Sequence, residues 1–250
     1  MLTSGRLFMD ALTIAAASGL RSRMESLDLL ANNLANTATS GYKRDQEFYS
    51  LYTSADADSA GSTLPVIQRQ WTDFSQGALT PTGNPMDVAL NGSGFFAVNG
   101  PSGTLYTRNG NLKVLPSGQL ATADGYALQN TSGQPITVTP GNPITISTDG
   151  TVSQGAQIAG QLKVVDFSST ASLEKVGAAC FRNLNPAAAP AAAAKTEVQQ
   201  GKLEGSNVPV AEAAMRLVGV MRQFEMLQKA IGISSDMDTK TIQEVARVGS

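Results

Sequence analysis

The sequence predicts an α+β fold in which long N- and C-terminal helices pair as a coiled coil, with a central, mainly antiparallel β body. Apolar residues repeat at heptad spacing near both ends of the 250-residue chain. Between these ends the apolar period falls to two, and turn pairs such as Asn91-Gly92 and Asp149-Gly150 recur at roughly 8–16 residues. Helices from the two ends can meet only if the residues between them loop out as a separate body.

The N-terminal helix is predicted over residues 7–35, within a first segment that covers 1–41. Its apolar seam advances in alternating steps of four and three, which is typical of a helix that packs along one face. The seam comprises Leu20, Met24, Leu27, Ala31 and Leu34. A run of Asn, Thr and Ser follows and reaches Gly41, whose backbone tolerates a positive φ, so the helix should end there.

Three further segments precede the C-terminal helix. Residues 42–63 form a linker segment, in which 53–63 have almost no apolar content and predict a flexible loop. Residues 64–185 form the β-rich outer body. Residues 186–205 are predicted as a spacer and return segment, because two prolines interrupt an alanine-rich run.

The last segment, 206–250, carries the C-terminal helix, which is predicted over 206–247 with Pro209 in its first turn. Its two seam positions carry Val210, Ala213, Leu217, Val220, Phe224, Leu227 and Ile231, with Met221 beside them. On periodicity alone, two core helices of one domain and helices that pack between molecules are equal alternatives. The β body between the helices favours packing between molecules, and isolated helices of this kind are marginal in water.

Composition argues against several classes of function. The net charge is −2 and only 15 % of residues are charged, so no basic field would attract nucleic acid or an anionic membrane. The absence of histidine removes the commonest general base and most zinc sites. The single cysteine, Cys180, cannot form an intrachain disulfide and is predicted to be a small core residue. We predict no catalytic residues, no cofactor and no metal site.

Two local motifs have a functional and a structural interpretation. Three asparagines fall within five residues: Asn32, Asn33 and Asn36. They could cap a helix end or make hydrogen bonds to neighbouring subunits, and spacing alone favours the cap. Gly92-Ser93-Gly94 could suggest a phosphate loop, but no Lys-Ser/Thr pair or helix follows, so a turn is favoured. The aspartates lie near turns and strand ends, where aspartate is common, which argues against a catalytic pair.

The sequence predicts neither a membrane span nor a cleavable signal peptide. No apolar run reaches the length of a spanning helix. Residues 1–20 lack a basic region followed by a purely apolar stretch. We therefore expect a cytoplasmic protein or one exported with its N-terminus intact.

Several stretches together resemble the bacterial flagellar basal-body rod proteins. They are LLANNLANTATSGYKR at 29–44, TDFSQGALTPTGNPMDVALNGSGFFAV at 72–98, YTRNGNL at 106–112 and LEGSNVPVAEAAMRLVGVMRQFEMLQKA at 203–230. They occur in order across nearly the whole chain, although the asparagine-rich signature is shared with hook relatives. The length and the LEGSNV stretch are most similar to the proximal-rod type.

This resemblance implies an axial structural protein with no enzymatic activity, located in the periplasmic rod of the flagellar basal body. Its implied partners are copies of itself, other rod proteins and the flagellar type III export apparatus. The alternatives are a distal-rod or hook-type protein of the same family, and, from a different class, a β-rich secreted hydrolase or adhesin. The adhesin would need a signal peptide or an anchor, and the hydrolase would need convergent catalytic residues.

From the heptads and the resemblance we predict a set of interface residues. The apolar ones would pack within and between subunits, the asparagines would make polar contacts at the junction with the outer body, and Gly41 would let the chain turn outward. The set is Leu20, Leu27, Asn32, Asn33, Leu34, Asn36, Gly41, Leu217, Met221, Phe224, Leu227 and Ile231.

Overall fold

The computed structural model describes residues 3–53, 63–185 and 187–248. Helix α1 (Thr3–Ala35) lies at one end of the chain and helix α2 (Val210–Val248) at the other. The chain forms two compact units, which we call the helix unit (1–34, 45–71 and 210–250) and the β unit (35–44 and 72–209). Neither described helix is long and apolar enough to cross a bilayer.

Strands make up most of the remaining regular structure. In the helix unit, β1 (Asp45–Thr53) pairs with β2 (Thr63–Thr72). The described strands of the β unit are β3 (Leu79–Pro81), β4 (Val88–Asn91), β5 (Phe95–Gly100), β6 (Gly103–Thr107), β7 (Leu112–Val114), β8 (Leu120–Thr122), β9 (Ala127–Leu128), β10 (Thr145–Ile146), β11 (Thr151–Gln154), β12 (Gln157–Gln161), β13 (Val164–Asp166), β14 (Leu173–Val176), β15 (Cys180–Asn183), β16 (Ala191–Ala192), β17 (Glu197–Gln200) and β18 (Lys202–Glu204).

The β unit is organised around one large sheet. Its strand order is β14-β15-β6-β5-β9-β8-β7, and β13 joins β5 to β16. Smaller groups are β10-β11-β12, β4 with β17 and β3 with β18, and the pairs are antiparallel. Residues late in the unit therefore return to its beginning: Val198 is opposite Leu90, and Leu203 is opposite Thr80.

Two apolar clusters form the core of the β unit. The larger one includes Phe96, Leu120 and Cys180, all buried. Burial, together with the nearby negative charge of Asp124, raises the pKa of Cys180 to about 11, so the thiol stays protonated at neutral pH. The prediction that Cys180 is a core residue is confirmed. The smaller cluster is aromatic, and Phe95 meets neighbouring rings edge to face.

The predicted fold class was wrong in its main feature. The described residues contain one helix at each end but no long coiled coil between them, and most elements are strands in several sheets. On α2, Val210 of the predicted seam is 54 % exposed, and Met221, predicted beside the seam, is 48 % exposed. Heptad spacing is enough to make a helix amphipathic, but it does not determine which surface covers the apolar face.

On α1 the buried stripe is displaced from the predicted seam. Met24 and Ala31 of that seam are exposed. Within 18–35, the part of α1 whose burial is described, the buried residues are Gly19, Ser22, Ser26, Leu30 and Asn33. Small and polar residues dominate this face, and apolar periodicity cannot detect them.

The segments between the helices contain more strands than the sequence suggested. The 42–63 segment contains β1, and the flexible loop predicted at 53–63 lies almost entirely outside the described residues. The 186–205 segment contains β16, β17 and β18. Helix α2 begins at Val210, four residues later than predicted. Asn207, near the predicted start, hydrogen-bonds through its side chain to the backbone of Arg44 and Asp73.

Candidate assembly surfaces and a buried polar junction

Asn33 joins the end of α1 to the start of β1. Its Nδ2 donates to the carbonyl oxygen of Asp45 at 2.8 Å, and the amide of Asp45 donates to Asn33 Oδ1 at 3.0 Å. Two turns earlier on the same face, Ser26 Oγ donates to the Glu47 carboxylate at 2.9 Å. The amide of Asn33 thus pairs with one residue of β1 as a neighbouring strand would.

Gly41 belongs to the short part of the β unit between α1 and β1. Its φ is 70°, and its amide donates to the carbonyl oxygen of Glu204 at 2.8 Å. A Cβ here would lie 2.4 Å from the backbone carbon of Arg108 and 2.4 Å from the amide nitrogen of Asn109. Both the left-handed backbone and the lack of space require glycine at this position.

Glu204 is the centre of a buried ionic cluster with Lys43 and Arg108. Lys43 Nζ donates to Glu204 Oε1 at 2.5 Å, and Arg108 Nη1 donates to Oε2 at 3.1 Å. The amide of Gly77 also donates to Oε1, at 2.9 Å. The side chains of Lys43 and Glu204 are fully buried and that of Arg108 is 4 % exposed. Two cations therefore share one anion.

The cations of this cluster are also held by backbone carbonyls. Lys43 Nζ donates to the carbonyl oxygen of Ser75 at 2.7 Å, and Arg108 Nη2 donates to that of Gly92 at 2.7 Å. Burial lowers the pKa of Lys43 below its ordinary value, although the Glu204 carboxylate opposes this. The cluster fixes three distant stretches of chain to one another.

Asn207, three residues after Glu204, hydrogen-bonds to the stretches that contain Arg44 and Asp73. Its Oδ1 accepts from the amide of Arg44 at 2.7 Å, and its Nδ2 donates to the carbonyl oxygen of Asp73 at 2.7 Å. Arg44 Nε also donates to Asp73 Oδ2 at 3.0 Å. Partial burial raises the pKa of Asp73, but hydrogen bonds from Ser75 and Arg44 outweigh this and hold it below the ordinary value. We call Lys43, Arg44, Asp73, Arg108, Glu204 and Asn207 the polar junction.

Helix α2 has apolar residues on two opposite faces. One face carries the predicted heptad, of which Ala213 is buried and Phe224 and Leu227 are partly buried. The other face carries large apolar residues that are 48 % to 70 % exposed, which we call the methionine stripe. The methionine stripe is Met215, Val218, Met226, Ile233 and Met237. Met226 and Phe224 are about 200° apart around the helix axis, so the two faces are distinct.

Comparison with known proteins identifies the family of this chain. Two family models match the chain: the flagellar hook protein FlgE/F/G D1 domain over residues 89–154, and the flagellar basal body rod FlgEFG protein C-terminal region over 199–244. The flagellar basal-body rod protein FlgF of Caulobacter vibrioides is 30 % identical over 244 residues, which cover 96 % of this chain and 99 % of that protein. The chain belongs to the flagellar basal-body rod protein family.

Relatives of this rod protein also include the basal-body rod proteins named FlgG. The one from Agrobacterium fabrum is 32 % identical over 263 residues, which cover 92 % of this chain and 97 % of that protein. The one from Bacillus subtilis is 30 % identical over 246 residues, which cover 88 % and 93 %. The family predicted from the sequence is therefore confirmed.

The predicted interface residues of the rod protein fall into three environments. Asn33 and Gly41 are buried and contact the partners described above. Asn32 and Met221 are exposed. The partly buried members are Leu20, Leu27, Leu34, Asn36, Leu217, Phe224, Leu227 and Ile231. Within the helix unit, a Cβ on Gly19 of α1 would lie 3.7 Å from Leu227 Cδ1, so α1 and α2 approach each other closely at this point.

Sequence reasoning missed the polar junction. Lys43, Arg108 and Glu204 were not singled out, although each lies in one of the stretches that resemble rod proteins. A signal was present: charged residues are scarce in this chain, yet each of those stretches contains at least one. What the sequence could not show is that the three stretches meet in space.

Proposed function

We propose that this rod protein is a structural subunit of the flagellar basal-body rod, where it assembles with copies of itself and with other rod proteins through its terminal helices. The observation that carries the proposal is the second apolar face of α2. The methionine stripe is exposed in the single chain, and it is too regular in spacing to be a scatter of surface residues. A subunit surrounded by others on several sides needs such a second face.

The methionine stripe is suited to packing against a neighbouring subunit. Met226 and Met237 have flexible, polarizable side chains that adapt to irregular surfaces. Covering a side chain of this size stabilises an assembly by about 1.5–3 kcal/mol, and the gain recurs at every subunit contact. The partly buried residues Leu217, Phe224 and Ile231 on the opposite face supply the other side of the same packing. A contact of this kind that repeats without closing generates a helical array.

The polar junction would carry force between the parts of each subunit. The chain passes between the helix unit and the β unit close in sequence to Arg44, Asp73 and Asn207. Because these residues are bonded to one another, a pull on one connection is shared by the others. A drive shaft that transmits torque for swimming needs subunits whose connecting segments do not unfold one at a time.

The route to the rod and the position within it belong to the same proposal. We expect export through the flagellar type III apparatus, which a chain with one cysteine and no disulfide to form can follow without oxidation. We further expect a place in the proximal rod, on the strength of the LEGSNV stretch, with the distal rod as the alternative. Cells that lack the export apparatus should retain the protein in the cytoplasm.

Replacing Met226 by Glu tests the proposed role of the methionine stripe. Met226 is 61 % exposed, so the isolated protein should fold normally, whereas a carboxylate buried between subunits would prevent assembly. Gln223→Glu is the matched control, because it adds the same charge to an exposed position about 60° away on the same helix. The measurement is the amount of each variant in purified hook–basal bodies, together with swimming. Normal incorporation of Met226→Glu would refute the proposed contact.

A further inference from the structure

The helix unit exposes an apolar face on each of its helices. On α2 this face is the methionine stripe, in which Met226 is 61 % exposed. On α1 it is formed by Met24, which is 54 % exposed, and by Ala31, which is exposed two turns later. Both of these α1 residues belong to the apolar seam that heptad spacing predicts, whereas the buried stripe of this helix runs along the opposite side. Each helix therefore has an apolar face that its own chain leaves uncovered.

The two exposed faces lie away from the place where α1 and α2 approach each other. That approach brings Gly19 of α1 close to Leu227 of α2. Met24 and Ala31 lie about 120–140° around α1 from Gly19, at about 100° per residue. Met226 lies about 100° around α2 from Leu227. A second molecule is thus needed to cover either face.

Two cations flank the methionine stripe near its middle. Arg222 and Lys229 are exposed and lie four residues before and three residues after Met226, so both are its neighbours on the helix surface. Neither forms an ion pair with a residue that the structure describes. Glu225 is a neighbour of both cations on the side away from Met226. Positive charge therefore exceeds negative charge around Met226.

An anion lies in the middle of the exposed face of α1. Asp28 is exposed and lies four residues after Met24 and three residues before Ala31. It has no ion-pair partner in the described part of the chain, whereas Arg21 and Glu25 beside it pair with each other at 3.1 Å. The spacing is the same as on α2, but the chemistry is exchanged. Here an anion lies between two apolar residues, and there an apolar residue lies between two cations.

We infer that the methionine stripe of one subunit is covered by the exposed face of α1 from a second copy of this chain. Met226 packs against Met24, next to the small side chain of Ala31, which leaves room for a flexible methionine. Asp28 of the second copy lies between the two cations that flank Met226, where opposite charges attract. The contact joins two different surfaces, so it can repeat from copy to copy without closing. The inference rests on the proposed function, which supplies the second copy.

Cross-linking between two chains tests which faces meet. One chain carries Asp28→Cys and the other Lys229→Cys, both are produced in the same cells, and purified hook–basal bodies are treated with a short bismaleimide. Cys180 is 4 % exposed, so the native thiol should not compete. We expect a cross-linked species of twice the chain mass, which cells that produce only one of the variants should lack. No cross-link, or a cross-link only to a different protein, would overturn the inference.

Arg216→Cys is the matched control for Lys229→Cys. Arg216 is also an exposed cation of α2, with a side chain that is 66 % exposed. It lies about 140° around the helix from Lys229, on another face. Paired with Asp28→Cys, it should give no cross-linked dimer above the background of the single variants. Equal yields from the two pairs would refute the assignment, because cross-linking would then not depend on the face.

Exchanging the charges tests the proposed ion pairing. Asp28→Lys brings three cations together at each contact, so its incorporation into hook–basal bodies and swimming should both fall. Adding Arg222→Glu and Lys229→Glu to the same chain restores opposite charges and should restore incorporation. Wild-type incorporation of Asp28→Lys, or a triple variant no better than Asp28→Lys alone, would contradict the pairing.

These results separate the contact from the rod assignment. If the wild-type protein is present in hook–basal bodies but Asp28→Cys and Lys229→Cys do not cross-link, the rod assignment stands and the contact is refuted. If the wild-type protein is itself absent from hook–basal bodies, the rod assignment fails, and the second copy fails with it.

Discussion

At the scale of single residues, Glu204 determines whether two buried cations are tolerated. Lys43 and Arg108 both donate to it, and neither side chain has access to solvent that could replace it. A buried pair is weak evidence for net stability, because taking charges out of water is costly. Removing the shared anion is a different matter, since it leaves both cations without compensation.

We therefore predict that Glu204→Gln strongly destabilises the β unit. The cost should be about 3–5 kcal/mol, the range for breaking a buried ion pair. Glu197→Gln, at an exposed position on β17, is the control and should change the free energy of unfolding by less than about 0.5 kcal/mol. Native-state hydrogen exchange of the β-unit amides measures both. Equal effects of the two substitutions would mean that the cluster contributes nothing specific.

Two glycines with the same φ allow the cost of backbone strain to be distinguished from the cost of a steric clash. Gly41 and Gly83 both have a φ of 70°, but a Cβ on Gly83 would meet nothing within 4 Å. Gly83→Ala should cost about 1–2 kcal/mol for the left-handed backbone alone. Gly41→Ala should cost about 1–3 kcal/mol more, because the backbone at Arg108 and Asn109 must move. Urea unfolding of both variants gives the difference, and equal losses would contradict the close packing at Gly41.

At the scale of elements, α1 and β1 are joined by a side chain that behaves as backbone. Asn33 offers Asp45 both an acceptor and a donor, so the first residue of β1 is paired before the strand meets β2. Asparagine is the residue for this position because its carboxamide has the same polar groups as a peptide bond. The helix-cap interpretation of the asparagine cluster does not cover this contact, which spans twelve residues.

Asn33→Asp should weaken the helix unit through this contact. The substitution removes the donor to the Asp45 carbonyl and places a carboxylate against it, at a cost of about 1–3 kcal/mol. Asn32→Asp is the control: it adds the same charge to the same turn at an exposed position, so any effect of the helix dipole is shared. Thermal unfolding followed through the helical circular dichroism signal compares the two. An Asn32→Asp variant as unstable as Asn33→Asp would refute a specific contribution of the Asn33–Asp45 hydrogen bonds.

The two helices show which structural features the apolar periodicity of the sequence can predict. It placed a helix near each end and identified Ala213, Phe224 and Leu227 on the less exposed face of α2. It failed on α1, where the buried stripe runs through Ser22 and Ser26. On this stripe Ser26 and Asn33 hydrogen-bond to residues of β1, and such partners come from a part of the chain that a helical period does not include.

At the scale of the whole molecule, the last strands of the β unit return to its first strands before the chain enters α2. Strands β17 and β18 pair with β4 and β3, which brings Glu204 and Asn207 next to residues 42–44 and 73–75. Three of the four connections between the two units thus begin from one place within the β unit.

The number of copies in the rod distinguishes the proximal from the distal position. We expect quantitative mass spectrometry of purified hook–basal bodies to find only a few copies of this protein per structure, as a short proximal segment requires. A count several-fold higher would assign it to the distal rod. Hook and rod proteins in the same preparation serve as internal references for the count.

The sequence by itself determined the family, the presence of a helix at each end, the β character of the middle and the core position of Cys180. These depend on local spacing, turn residues and short motifs, which are complete within a few residues. Only the tertiary structure decided which face of α1 is buried, and that Lys43, Arg108 and Glu204 form one cluster. Those contacts join residues up to 161 positions apart. Pairing over such distances depends on the path of the whole chain, because a charged side chain carries no local mark of the partner it will meet.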